Sequence, residues 1–150
     1  MKTVLATTAI FLAISAGASQ QKPDAAKPKD SRPPEGYSIP AEDAQRTNPV
    51  KPTEGSIAAG GKFYSSQCAM CHGKDGDGKG DLAVQLELKM RDYRQPESLA
   101  KFTDGELFYI ITNGRGKMTG GEGDRTSEEV RWNLVNVVRA FAKKDAAEKR

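Results

Sequence analysis

Both cysteines of this chain and its only histidine fall in five consecutive residues, Cys68-Ala-Met-Cys71-His72. That crowding of sulfur and imidazole limits what the surrounding chain can build. Three arrangements use these residue types so close together: a redox disulfide, a zinc site and a covalent haem. At 150 residues, with 29% charged and 37% hydrophobic, the chain has the length of one domain.

The N-terminus sets the compartment in which the cysteines are read. Lys2, an apolar run from Thr3 to Ala16 and the small residues Ala16-Gly17-Ala18 predict a signal peptide over 1–18, cleaved near Ala18. The apolar run is short for a membrane span and polar Gln-Lys-Pro-Asp follows it; an uncleaved anchor is the alternative. No cysteine lies beside the cleavage site, which excludes a lipid anchor there. Export places the protein in the periplasm or another extracytoplasmic space, where two cysteines ordinarily form a disulfide. Net charge is +3, one unit of it from Lys2, and no basic stripe with interleaved aromatics appears, so nucleic acid is excluded as a partner.

Seven of the eight prolines lie between Pro23 and Pro52. Residues 19–52 therefore read as a Pro-rich linker, with Tyr37, Ile39 and Val50 able to strap its later part onto the domain. The domain is expected over 53–144, followed by a charged tail over 145–150. Three helices are predicted in it. The first starts at the N-cap Thr53, with Glu54 in its first turn, and runs toward Cys68. The second opens with the capping box Thr103-Asp-Gly-Glu106, exposes an apolar face of Leu107, Ile110 and Ile111, and stops at Asn113-Gly114. The third opens with Thr126-Ser-Glu-Glu129 as a capping box and buries one face of Val130, Leu134, Val137, Val138 and Phe141. A further helical turn is expected near Pro96 to Lys101. Leu82, Val84, Leu86, Leu88 and Met90 alternate, which predicts an extended segment lying on something apolar. Three helices make a small core, and a buried apolar cofactor would supply the missing mass.

A thioredoxin-like disulfide needs its cysteines after a strand and at a helix start, whereas here a helix precedes them and a glycine-rich loop follows. Structural zinc wants four ligands, and two thiols with one adjacent imidazole fall short. Cys-x-x-Cys-His is the attachment signature of c-type haem. Residues three apart share a helical face, so Cys68 and Cys71 can both form thioethers with one ring edge while His72 turns toward the iron.

With those residues in place, the sequence resembles the single-haem, class I bacterial cytochromes c from about Thr53 to Lys143. Gly60 and Tyr64 match the family's first-helix pattern, and CAMCHGKDGDGKG matches its haem loop. MRDY, residues 90–93, is similar to the segment bordering the haem, with Met90 where proline is commoner. FTDGELFYIITNG matches the middle helix, GKMTGGEGD the distal methionine loop and RWNLVNVVRAFAK the last helix. The resemblance implies an all-α fold, a cytochrome c-like domain of three main helices wrapped around one covalent haem c. The first and last helices would cross at Gly60, with Val137 where an aromatic is frequent.

Met90 and Met118 are both within chain reach of the other haem face; Met118, in a glycine-rich loop between two capped helices, is the expected distal ligand opposite the proximal His72, and Thr119 stands where proline is frequent. Met90 and Tyr93 are expected at the haem edge. Trp132 has two readings, an indole donor to a propionate or a core residue. With both axial positions filled, the expected role is one-electron transfer in a respiratory or related periplasmic chain, not enzymatic catalysis. The expected partners are redox proteins, such as a membrane oxidase, reductase or dehydrogenase complex, docked transiently by a monomer with peripheral or no membrane contact. If Met118 left the iron, a gas sensor or weak peroxidase would be the alternative. A subunit tethered to a larger complex is the other.

Asp75-Gly-Asp77-Gly-Lys79-Gly80-Asp81 looks like the start of a calcium loop. Lys79 holds a ligand position and Leu86 stands where the closing carboxylate belongs, so a solvated turn is expected. Lys62, Lys74, Lys79, Arg115 and Lys117 read either as a cationic ring that steers an acidic partner or as scattered charge.

Overall fold

The computed structural model describes residues 37–148, with side chains through 143. The expected signal peptide and residues 19–36 of the linker lie outside the described residues. Seven α-helices are described: α1 (Ala41–Ala44), α2 (Glu54–Phe63), α3 (Ala69–His72), α4 (Asp81–Gln85), α5 (Asp104–Asn113), α6 (Glu122–Arg125) and α7 (Glu128–Glu148). Two short strands, β1 (Gly114–Arg115) and β2 (Met118–Thr119), pair antiparallel after α5. The longer helices α2, α5 and α7 are the three main helices of a small all-α domain. Among the described residues, no helix is long and apolar enough to cross a membrane.

Local chemistry accounts for the helix starts. Thr53 caps α2 in a reciprocal box with Ser56, whose hydroxyl accepts from the Thr53 N–H at 3.0 Å. Thr103 and Glu106 make the expected box on α5, with bonds of 3.1 and 2.7 Å. The start of α7 differs from expectation. Its cap is Ser127, whose hydroxyl accepts from the Val130 N–H at 3.3 Å, so the Thr126–Glu129 box is not the one used. Thr126 closes α6 instead, in extended backbone, with its hydroxyl donating to the Glu122 carbonyl. Pro96–Ser98 forms the expected extra turn, of 3-10 type.

The alternating segment is a second departure. Residues 81–85 form α4 rather than an extended stretch, and within the protein chain Val84 and Leu86 are 65% and 56% exposed. Alternation gives a strand only where a neighbouring edge can satisfy the backbone. Here the chain leaves the haem-signature segment through Gly80, whose α-carbon lies against the Ala69 and Met70 carbonyls. Closing a helical turn from Asp81 satisfies the backbone locally: the Val84 N–H donates to the Gly80 carbonyl at 3.0 Å.

Burial on α7 encircles the helix from Trp132 to Val138 instead of following one stripe. Three neighbours explain this. Helix α2 meets α7 at Gly60, and Leu134 and Val137 cluster there with Tyr64. On another side Trp132, Val135 and Val138 pack with Leu99, Leu107 and Phe108. Phe108, not Ile110, joins Leu107 as a buried apolar residue of α5. The third side is covered by residues 37–52. Asn48 donates to the Trp132 carbonyl at 3.2 Å and to Asn136 Oδ1 at 2.9 Å, and Asn136 donates to the Val50 carbonyl. The Arg46 guanidinium lies 4.5 Å from the Phe108 ring centre and 5.2 Å from that of Trp132.

The α2–α7 crossing leaves no room for a side chain at Gly60. A β-carbon there would stand 2.5 Å from the Asn133 carbonyl oxygen and 2.9 Å from Val137 Cγ2. At the adjacent Gly61 a β-carbon meets nothing within 4 Å. Gly60→Ala should therefore destabilise the domain by about 1–3 kcal/mol, while Gly61→Ala should stabilise it by about 0.5–1 kcal/mol. Urea denaturation of the two variants checks this, and equal effects would contradict the packing at the crossing.

Candidate haem site

The site grows out of an irregular helix. After α2 the chain widens into a π-turn over Tyr64–Cys68 and then closes the single turn α3, which carries Cys71 and His72. A π-turn inserts a residue and rotates everything after it, so the phase of Cys68 is set here rather than by α2. Gly73 then leaves the helix at φ +78°. Cys68 and Cys71 are unpaired, partly buried thiols at the two ends of this turn.

Three long hydrogen-bond connections hold the turn in place. Tyr64 Oη, deep in the core, donates to the Gly73 carbonyl at 2.8 Å. The Gly78 N–H donates to the His72 carbonyl at 2.9 Å, and the Tyr93 N–H to the Gly76 carbonyl at 2.7 Å. The last of these draws Tyr93 over the imidazole: the rings of Tyr93 and His72 stack with centres 5.2 Å apart and planes 21° apart. Phe141 of α7 closes the other side, 5.1 Å from the Tyr64 ring and against Gly76. The calcium-like stretch is thus a structural loop. Gly76 and Gly78 have φ of +72° and +74°, Asp77 Oδ1 accepts from the Lys79 N–H, and Asp75 pairs with Lys74 at 2.6 Å.

Electrostatics follow from this enclosure. Burial pulls His72 down to about 4, so the imidazole is neutral near pH 7, as a metal ligand must be. Its Nδ1 is buried with no hydrogen-bond partner in the protein. Burial, then the nearby Glu122 carboxylate, pushes the Cys68 thiol up to about 11. That is the direction opposite to an attacking redox thiol, whose thiolate must be stabilised. Burial also raises Tyr93 to about 12, which keeps its phenol neutral.

The donor set fits a haem. Among the described residues, no cluster of three or more His, Cys, Asp and Glu could hold a metal ion, so protein ligands alone give zinc no cage there. A haem iron brings its own ring nitrogens and asks the protein only for axial donors, which a neutral, uncommitted imidazole meets.

The other expected site residues are placed as follows. Tyr93 shares the His72 neighbourhood. Met90 packs at Gly78, whose β-carbon would approach the Met90 Cβ at 3.0 Å. Met118 stands in β2, paired in register with Arg115. Trp132 is sealed against Phe108, ring centres 4.0 Å apart, and its indole N–H donates to Glu128 Oε1 at 3.3 Å. That bond favours the packing reading of Trp132 over the propionate one. Arg115 of the expected cationic ring lies over the rings of Tyr37 and Phe102, at 5.5 and 5.6 Å, and Lys74 pairs with Asp75.

Two neighbours fall inside quoted segments, Glu122 in GKMTGGEGD and Arg91 in MRDY, but nothing in those segments marks the contacts they make. Glu122, at the start of α6, keeps Oε2 buried without a hydrogen-bond partner and acts on Cys68. Arg91 lies 4.9 Å from the Phe102 ring, and burial, then the charge of Arg115, lowers its pKa.

A helical domain presenting two thiols and a neutral imidazole in this arrangement defines a single-haem c-type cytochrome. The chain belongs to the family described as "Cytochrome C oxidase, cbb3-type, subunit III", whose model matches residues 55–136, more than half of its length. Its members are cytochrome c electron carriers, usually extracytoplasmic, and the Cys68/Cys71 pair implies covalent haem c. Among solved structures, a chain of the "Kuenenia stuttgartiensis reducing HAO-like protein complex Kustc0457/Kustc0458" is similar, at 28% identity and a TM-score of 0.53. The match covers 62% of this chain and 46% of that one, so this chain spans less than half the length of that relative. No curated protein matches.

Tyr64→Phe removes the hydroxyl from the buried Gly73 carbonyl next to His72, which keeps only the Gly76 N–H. The expected cost is about 0.5–1.5 kcal/mol, read as a lower guanidinium midpoint with the fold's circular dichroism retained. An unchanged midpoint would show that the bond does not anchor the turn.

Proposed function

We propose that this protein is a one-electron carrier of the extracytoplasmic space, with Cys68 and Cys71 holding the haem, His72 as proximal ligand and Met118 as distal ligand. The observation that most supports it is the neutral His72 imidazole, free of a protein hydrogen bond at Nδ1, stacked on Tyr93 beside two thiols three residues apart. When bound, the haem supplies a ferric–ferrous couple. The chain's own part is to orient and exclude water. Tyr93 fixes the imidazole plane, Met90 packs beside that segment at Gly78, and the loop 73–80 ties both to Tyr64 at the end of α2. A thioether opposite the imidazole would stabilise ferrous iron and raise the potential. It would also leave the metal no open position, which favours electron transfer through the ring edge over catalysis.

The partners are redox proteins that dock transiently. Similarity to a chain of a reducing HAO-like complex supports a carrier that meets, or is held by, a larger redox assembly. Export by cleavage near Ala18 delivers the chain to that compartment.

The test is the visible spectrum of protein exported from a host that matures c-type haem. The expected result is a low-spin spectrum in both redox states, a far-red sulfur–iron band in the ferric form, and colour that survives acid–acetone. Replacing both Cys68 and Cys71 by Ser should make the pigment extractable. Met118→Ala should abolish the far-red band, lower the potential and open the ferrous protein to carbon monoxide. Ready carbon monoxide binding by the unsubstituted protein would overturn the carrier reading in favour of a five-coordinate sensor.

A further inference from the structure

We propose that the segment ahead of α2 acts on the distal loop, and that Tyr37 is the positioning residue through which it does so. This rests on the reading of Met118 as distal ligand. Tyr37 Oη donates to the Gly114 carbonyl at 2.9 Å, across 77 residues of sequence. The Arg115 guanidinium lies 5.5 Å from the centre of the same ring. Gly114 and Arg115 are the whole of β1, and they pair in register with Thr119 and Met118. Tyr37 thus grips both residues of the strand that supports Met118.

The hairpin needs such a grip. Two paired residues per strand make a marginal ladder. The turn and exit are glycine-rich, with Gly116 and Gly121 at φ +61° and +117°. A β-carbon at Gly116 would meet nothing within 4 Å, so the turn is open there, while the exit is held to α5 by the Gly121 N–H donating to the Thr112 carbonyl at 3.2 Å. Gly114 itself, at φ +79°, is hemmed in by the backbone of residues 118–120, so a pull on its carbonyl is felt directly by β2.

The rest of the segment provides the anchorage. Thr103 Oγ1 donates to the Ala44 carbonyl at 2.6 Å, the Asp43 carbonyl rests on Gly105, and Asn48 is bonded to α7. Burial, then Tyr109, raises the Tyr37 phenol, which keeps it a donor across the neutral range. The family model begins to match at residue 55, so this strap lies outside the stretch it covers. The strap biases the distal loop toward its closed arrangement.

Displacement by imidazole in the ferric holoprotein reads that bias. An external ligand competes with the closed loop, so its apparent affinity rises as the closed loop weakens. Tyr37→Phe removes one hydrogen bond and should tighten apparent imidazole binding about fivefold, followed by loss of the far-red band. Tyr37→Leu, which also removes the ring under Arg115, should tighten it further. Denaturation midpoints of both variants separate a general loss of stability from a local one. A lower midpoint with imidazole affinity within about twofold of the parent would overturn the proposal, leaving Tyr37 a purely structural residue. Met118→Ala distinguishes the two readings. If it keeps the far-red band, the ligand assignment falls and the strap's role falls with it. If it loses the band while both Tyr37 variants bind imidazole as the parent does, only the strap proposal falls.

Discussion

The single turn of α3 is too short to be a stable helix alone, since one closed turn fixes several residues for very few hydrogen bonds. Yet it must hold His72 and Cys71 in a fixed relation to Cys68. The hydroxyl of Tyr64 on the Gly73 carbonyl, the Gly78 N–H on the His72 carbonyl and the Tyr93 N–H on the Gly76 carbonyl supply what the turn lacks. Each reaches a different part of the chain: the end of α2, the glycine loop and the segment after α4. The imidazole is thus fixed by tertiary structure on three sides, and its burial and neutrality follow from the same enclosure.

These contacts in turn need α7. Phe141 packs on Tyr64 and on Gly76, so the last helix closes over both ends of the loop that follows His72. That placement depends on the close approach of α2 and α7 at Gly60. Burial all around α7 from Trp132 to Val138 shows how much of the domain converges on one helix. The segment 37–52 completes the third side with hydrogen bonds from Asn48 and cation–aromatic contacts from Arg46 to two rings. Contacts of that kind contribute about 0.5–1 kcal/mol each when exposed, and more when desolvated.

Charge near the site is arranged by aromatic rings as much as by ion pairs. Arg91 and Arg115 both lie over Phe102, and Arg115 also over Tyr37. On the other side, Glu122 reaches the neighbourhood of Cys68 from α6. The site therefore has cationic groups by the hairpin and, by the first cysteine, a carboxylate paired with Arg125. A field of this kind acts on a metal centre's potential without touching the metal.

The sequence by itself placed two thiols and an imidazole side by side and determined the three main helices and the family. Cys68, Cys71 and His72 are adjacent in the chain, and the caps Thr53 and Thr103 with Glu106 act within four residues. Interactions that local survive any arrangement of the rest. Where competing local signals met, tertiary context chose. The start of the alternation at residues 82–90 gave way to α4 because, among the described residues, no strand edge lies beside it, and Ser127 took the α7 cap because Thr126 closes α6. Only the folded chain could reveal the stacking of Tyr93 on His72, the reach of Glu122 to Cys68, the packing of Trp132 and the bond from Tyr37 to Gly114. Each joins residues far apart in sequence, through a single hydrogen bond, ring or charge that leaves no periodic trace.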